Sequence, residues 1–210
     1  MNEFRYKPFE DHINDAIESG KAQKIYDDCS EKTVYRHPDN PNQVIGIYKE
    51  KDDFDESLEE SAFRIKARYY LTQIAHEFLP DNFPVIHLAA SKPHAVVSDF
   101  VEGKHLQSEE DEIPRINELS DRMREIGVPF DSHYENFIEQ DGNLKFVDTL
   151  NPWDIEDDKV VRNYSPTKIM TKVETIQDDR QRDKILASLQ RLEELYQEEV
   201  ENLQAEQANN

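Results

Sequence analysis

Asp131, Asn136 and Asp148 combine residue types and spacing that could handle a metal-bound phosphate. Asp131 and Asn136 are five residues apart in the stretch Pro129-Phe-Asp-Ser-His-Tyr-Glu-Asn136, and Asp148 follows twelve residues later, after Leu144-Lys-Phe-Val. A nucleotide triphosphate is an anion bridged by a divalent cation, and such a cation takes hard oxygen ligands of the kind a carboxamide and a carboxylate supply. A separate carboxylate is then needed to orient the attacking hydroxyl, and phosphoryl transfer uses that division of labour. A D-x-x-x-x-N spacing arises often by chance, so its context decides its meaning.

The context is a hairpin. Phe137 to Gln140 and Leu144 to Val147 read as two strands, and Asp141-Gly142 between them is a strong short-turn signal. Asn136 would then stand just before one strand and Asp148 at the end of its partner, which brings the two ligands near each other. Upstream, a helix is expected after Pro114, with Ile116, Leu119, Met123 and Ile126 on its buried face and Gly127 at its end. It delivers the chain directly into the Asp131 loop.

Earlier elements follow from the same periodicities. Phe9, Ile13 and Ala16/Ile17 recur at helical spacing before a stop at Gly20. Strands are expected at Lys21 to Asp27, Thr33 to Arg36 and Gln43 to Glu50, with His37 to Asn42 as the turn joining the second and third. A long helix fits Asp55 to about Phe78, its stripe running through Phe63, Ala67, Tyr70/Leu71, Ile74 and Phe78. Phe83 to Leu88 and Ala95 to Val101 read as two more strands. The order is strand, strand, strand, helix, strand, strand. The tail is helical from Ser165-Pro166, with Ile185, Leu189, Leu192, Tyr196 and Leu203 near a heptad line. That line suits packing on the same domain, or self-association or a partner helix. Trp153 reads as a core anchor, with substrate stacking as the alternative.

Composition sets outer bounds. The 210 residues suit one compact domain or one with two lobes, and 34% of them are charged. Mean hydropathy is -0.89. No apolar run reaches membrane-spanning length, and the N-terminus lacks the apolar stretch of a signal peptide. Cys29 is the single cysteine, so a reducing cytoplasm is the expected setting. The net charge of -21 argues against general nucleic-acid binding, which needs cations to neutralise phosphates. It suits solubility, a basic partner, or imitation of a phosphate array. ATP would meet an unfavourable long-range field here, to be offset locally by a lysine and Mg²⁺.

With these residues assembled, the chain resembles the protein-kinase-like superfamily over about Lys21 to Pro152. It is most similar to the small-molecule and bacterial branch that includes aminoglycoside and choline kinases. The resemblance implies an α+β, two-lobed kinase-like fold: residues 1–102 as an N-lobe with an antiparallel sheet and one long helix, and residues 103–210 as a reduced, mostly helical C-lobe. It implies Asp131 as catalytic residue and Asn136 and Asp148 as Mg²⁺ ligands. Val44 to Lys49 resembles the strand that carries the phosphate-binding lysine, so Lys49 would hold ATP phosphates and Glu60 would pair with it; Glu56 and Glu59 are alternatives. Strand alternation puts Ile45, Ile47 and Lys49 on one face, giving the lysine an apolar floor. Ala95 to Leu106 is similar to the linker between lobes, so Asp99, Phe100, Val101 and Glu102 would face the adenine edge.

The chain departs from the family pattern in several places. Lys21 to Thr33 contains no glycine-rich phosphate loop. Pro129 stands where the family's loop-bracing His would be, and His133 reads as an exposed loop residue. Thr149 and Leu150 replace the Phe-Gly that usually follows the metal-binding Asp, which argues against a glycine-dependent flip. Only 62 residues follow Asp148, too few for a full helical lobe.

The leading expectation is an ATP- and Mg²⁺-dependent phosphotransferase acting on the hydroxyl of a small-molecule or peptide acceptor. A catalytically inactive pseudokinase-type binding module, and an acidic interaction or DNA-mimic protein with chance spacing, are the alternatives. The chain shows no H-x-x-x-H pair, no G-x-S-x-G elbow and no G-x-x-x-x-G-K-[ST] loop. The same metal site would also serve nucleotidyl transfer if the nucleotide were reversed.

Overall fold

The computed structural model describes residues 13–27, 32–48, 62–91, 94–106, 109–157 and 159–209. Lys49, Glu56, Glu59, Glu60 and Cys29 lie outside them. The chain falls into two compact units, Met1–Lys66 with Ile86–Phe100, and Ala67–Val85 with Val101–Asn210. The division is therefore not a single break in the sequence. The class is α+β, as expected, with an antiparallel N-terminal sheet.

In the first unit a helix described over residues 13–18 (α1) ends at Gly20, whose φ of 73° is the left-handed conformation that closes a helix. Strands β1 (Lys24–Asp27), β2 (Lys32–Arg36), β3 (Gln43–Tyr48), β4 (Ile86–Ser91) and β5 (His94–Asp99) form one antiparallel sheet in the order β1-β2-β3-β5-β4. Helix α2 (Ala62–Phe78) separates β3 from β4 in the chain. The turn joining β2 to β3 is stitched by His37, whose Nδ1 accepts from the amides of Asp39 and Asn40. The core gathers Ile13 from α1, Ile45 from β3, Ala90 from β4, and Ala95 and Val97 from β5, with Ile17, Ile47 and Leu88 packed against it. Strand alternation puts Ile45 and Ile47 on one face, and that face is the one covered by α1.

The second unit begins with the larger part of α2, where Ala67, Leu71, Ile74 and Ala75 are fully buried. Strands β6 (Lys104–His105), β7 (Phe137–Gln140) and β8 (Asn143–Phe146) make an antiparallel sheet in that order. Helix α3 (Glu109–Ile126) contains Pro114 in its interior, so it starts earlier than the proline suggested. Residues 109 to 113 precede the ring in the helix. Ile116, Leu119, Met123 and Ile126 form its buried face, as their spacing predicts. A second hairpin, β9 (Trp153–Glu156) with β10 (Lys159–Arg162), was not evident from sequence. Helices α4 (Pro166–Val173) and α5 (Asp179–Asn209) complete the unit.

Helix α4 opens with Ser165 as N-cap, its hydroxyl accepting from the Lys168 amide, and with Pro166 in the first turn. Much of the stripe on α5 is buried within its own unit, with Tyr196 and Leu203 half-buried. Ile185, Leu189, Leu192 and Leu195 are buried, and α5 packs on α4 and β10. Tyr196 donates its hydroxyl to the Val160 carbonyl at 2.9 Å. Trp153 is fully buried and meets the Tyr196 ring edge-on, which agrees with a core anchor.

Candidate active site

The β7–β8 hairpin sets the geometry. Its two-residue turn has Asp141 at φ 51° and Gly142 at φ 79°, so both central residues are left-handed, as an Asp-Gly hairpin turn requires. Pairing runs from Gln140↔Asn143 back to Phe137↔Phe146. One step further, the Val147 amide donates to the Asn136 carbonyl at 2.9 Å. Asn136 and Val147 are thus opposed at the open end of the hairpin, and Asp148 is the next residue out. Helix α3 holds the other end: Arg115 donates to the Glu139 carboxylate at 3.0 Å and to the Gly142 carbonyl at 2.8 Å. Asn82 exchanges bonds with β8, donating to the Leu144 carbonyl and accepting the Phe146 amide.

Asp131 reaches the same end from the other side of a short loop. A 3₁₀ turn at Tyr134–Asn136 closes that loop, with the Asn136 amide bonded to the His133 carbonyl. Asp131 Oδ1 accepts the His133 amide at 3.1 Å, and its Oδ2 lies 3.5 Å from Asn136 Nδ2, at the long limit of a hydrogen bond. With Nδ2 toward Asp131, the carboxamide oxygen of Asn136 is turned away from it. Asp148 Oδ1 accepts the amide of Thr149 at 2.7 Å. Asp131 is exposed, while Asn136 and Asp148 are half-buried. His133 is exposed, as expected for a loop residue, and its ring lies against Tyr134.

Four aromatic rings brace these residues, a feature the sequence reading missed. Phe83, Phe130, Phe137 and Phe146 touch one another with centroid separations of 5.0 to 6.3 Å. Phe130 immediately precedes Asp131, Phe137 immediately follows Asn136, and Phe146 lies two residues before Asp148. Each functional candidate is therefore tethered through the backbone to one packed cluster. Phe130 braces the loop by packing. The signal in the sequence was the recurrence of Phe beside each candidate.

Gly127 launches the loop from α3. It has φ 93°, its amide bonds back to the Met123 carbonyl, and its own carbonyl accepts the Ser165 amide at 2.7 Å. The segment proposed to face adenine is already engaged. Asp99 meets His87 at 2.6 Å, the Phe100 amide donates to the Asn42 carbonyl at 2.7 Å, and the Phe100 ring lies under the Arg36 guanidinium at 3.4 Å. Val101 is buried, and the Glu102 carbonyl accepts from Gln140. The apolar floor expected beside Lys49 is packed at Ile45 and Ile47 by α1.

Among the described residues, no group of three or more His, Cys, Asp and Glu side chains could enclose a metal ion. An Asn136/Asp148 pair would be a different arrangement, one in which protein would supply two hard oxygens and phosphates or water the rest. Magnesium sites on nucleotides are commonly built this way, and the donor set fits Mg²⁺ better than a soft metal. No helix in the described residues is long and apolar enough to cross a membrane.

No protein-family model and no curated protein matches the chain. Among solved structures it is similar to a Rio2 kinase from Chaetomium thermophilum, crystallised as an ADP/Mg²⁺-phosphoaspartate complex. That likeness covers 98% of this chain and 81% of the other at 10% identity, with a TM-score of 0.44. A likeness of that size carries no residue roles across.

Proposed function

We propose that the chain is a kinase-like, ATP- and Mg²⁺-dependent phosphotransferase acting on a hydroxyl acceptor. The observation that carries this reading is that Asp131 contacts Asn136 at the open end of one hairpin, where Asp148 follows the residue paired with Asn136. Two of these residues carry hard oxygens and stand at neighbouring strand ends. The third is an exposed carboxylate within reach of an incoming hydroxyl.

In this reading Asn136 and Asp148 hold Mg²⁺, which neutralises charge on the transferring phosphate. Asp131 orients the acceptor hydroxyl and takes its proton, contributing chiefly by placement because the transition state is loose. Its contact with Asn136 Nδ2 would favour presenting the carboxamide oxygen to the metal. Lys49, paired with Glu60, would hold the ATP phosphates. Adenine recognition by residues 99 to 102 would have to use groups other than the Phe100 amide and the Glu102 carbonyl, which have partners within the protein. The acidic surface favours a cationic acceptor, such as an amino sugar or a basic peptide.

The test is calorimetric titration of ATP with and without Mg²⁺, joined to a turnover assay on Asp131→Asn and Asp148→Asn. Loss of metal-dependent binding in Asp148→Asn, with binding retained and turnover lost in Asp131→Asn, is the expected pattern. Turnover intact in Asp131→Asn would remove Asp131 from its role.

A further inference from the structure

Thr72 is fully buried in the middle of α2, and threonine is a poorer helix former than the leucine and glutamine on either side of it. A valine would fill the same volume, so the hydroxyl calls for an explanation. Its Oγ1 accepts the backbone amide of Leu150 at 3.2 Å, within the buried interior. One turn earlier on the same helical face, Arg68 Nη1 donates to the Thr149 hydroxyl at 3.4 Å. The Thr149 amide in turn donates to Asp148 Oδ1 at 2.7 Å. Two polar groups spaced by a helical turn thus grip the two residues that follow Asp148, and the first of those residues grips its carboxylate. Leu150 is itself buried at 1% exposure, which fixes the far side of the same segment.

We propose that Thr72, assisted by Arg68, is the positioning residue that holds the Asp148 carboxylate in the orientation needed for Mg²⁺. This rests on the phosphotransferase reading above and deepens it. The Thr149-Leu150 pair, where a flexible Phe-Gly was absent from the sequence, is here a latched segment. Its latch is the polar face of α2. Residues that orient a metal ligand through a hydrogen bond typically change metal affinity tenfold or more when removed, because the ligand is then free to rotate away.

The experiment compares wild type, Thr72→Val and Thr72→Ser by calorimetric titration of ATP, each with Mg²⁺ and with EDTA. Thr72→Val keeps the volume and removes the acceptor, whereas Thr72→Ser keeps the acceptor. The expected result is a loss of about 10- to 100-fold in MgATP affinity for Thr72→Val, unchanged metal-free ATP affinity, and recovery in Thr72→Ser. A merely structural role would weaken both affinities together, and that outcome overturns the proposal. Equal MgATP affinity in Thr72→Val and wild type also overturns it while leaving the phosphotransferase reading intact. Absence of Mg²⁺-dependent ATP binding in wild type overturns both. If Thr72→Val does not fold, Arg68→Met is read by the same criteria, with a selective loss of MgATP affinity expected and an unchanged affinity counting against the latch.

Discussion

The Val147 amide donates to the Asn136 carbonyl at 2.9 Å, and this bond holds the backbone of Asn136 against the residue preceding Asp148. It extends the β7–β8 ladder one step past its last strand pair. Asp148 therefore leaves the hairpin one residue beyond the pair that Val147 makes with Asn136. The remaining contacts set how rigidly that arrangement is held, and they can be tested separately.

Gly103 faces the backbone of β7. A Cβ there would stand 2.2 Å from the Glu139 carbonyl oxygen and 2.5 Å from Ile138 Cγ2. Gly103→Ala must push strand backbone aside, and is expected to cost about 1–3 kcal/mol in denaturant unfolding. Gly127→Ala meets both a φ of 93° and a clash with Lys168 Cβ at 2.6 Å, so a loss of similar size is expected. Because Gly127 lies four residues before Asp131, its variant is also expected to lose turnover.

Phe130 tests bracing by the aromatic cluster. Its ring contacts Phe83, Phe137 and Phe146, but it is only half-buried. Truncation to Ala is expected to cost about 2 kcal/mol, below the range for a fully buried Phe. The larger effect is expected in turnover, since Asp131 is the adjacent residue. Retention of turnover in a folded Phe130→Ala would mean that the cluster stabilises without positioning.

How much of this was legible beforehand depended on the range of the interactions. The Asp141-Gly142 turn, the strands around it and the proximity of Asn136 to Asp148 are local consequences of the chain, and they were read from it directly. The order of strands and helix from β1 to β5 was legible for the same reason. The Phe83–Phe130 contact was not, because it joins residues far apart in sequence whose rings carry no directional signature. Hairpin β9–β10 was hidden by its short strands and by charged residues flanking Trp153 and Val160, which blur the alternation. Thr72 reads as an indifferent helix residue until Leu150 is seen beside it. Pro114 suggested a helix start, yet the helix begins five residues earlier.

Tyr164 supplies a pH prediction away from the site. Burial, reinforced by its hydrogen bond to Glu193 at 2.5 Å, pushes the phenol well above its ordinary value of 10.0. The folded state therefore holds the proton more tightly than the unfolded one. Its stabilisation is complete below about pH 10 and is lost as pH rises further. Tyr164→Phe is expected to cost about 1 kcal/mol at pH 8 through loss of the bond to Glu193. It should also lose less stability than wild type between pH 8 and pH 10.5, measured by urea unfolding. Equal losses in the two proteins would refute the role assigned to Tyr164.

The most direct test of the central claim is ATP titration of wild type and Asp148→Asn, each with and without Mg²⁺. The phosphotransferase account expects wild type to bind ATP more tightly when Mg²⁺ is present, and Asp148→Asn to lose that increment while remaining folded. ATP binding indifferent to both Mg²⁺ and the substitution, or no ATP binding at all, would contradict it.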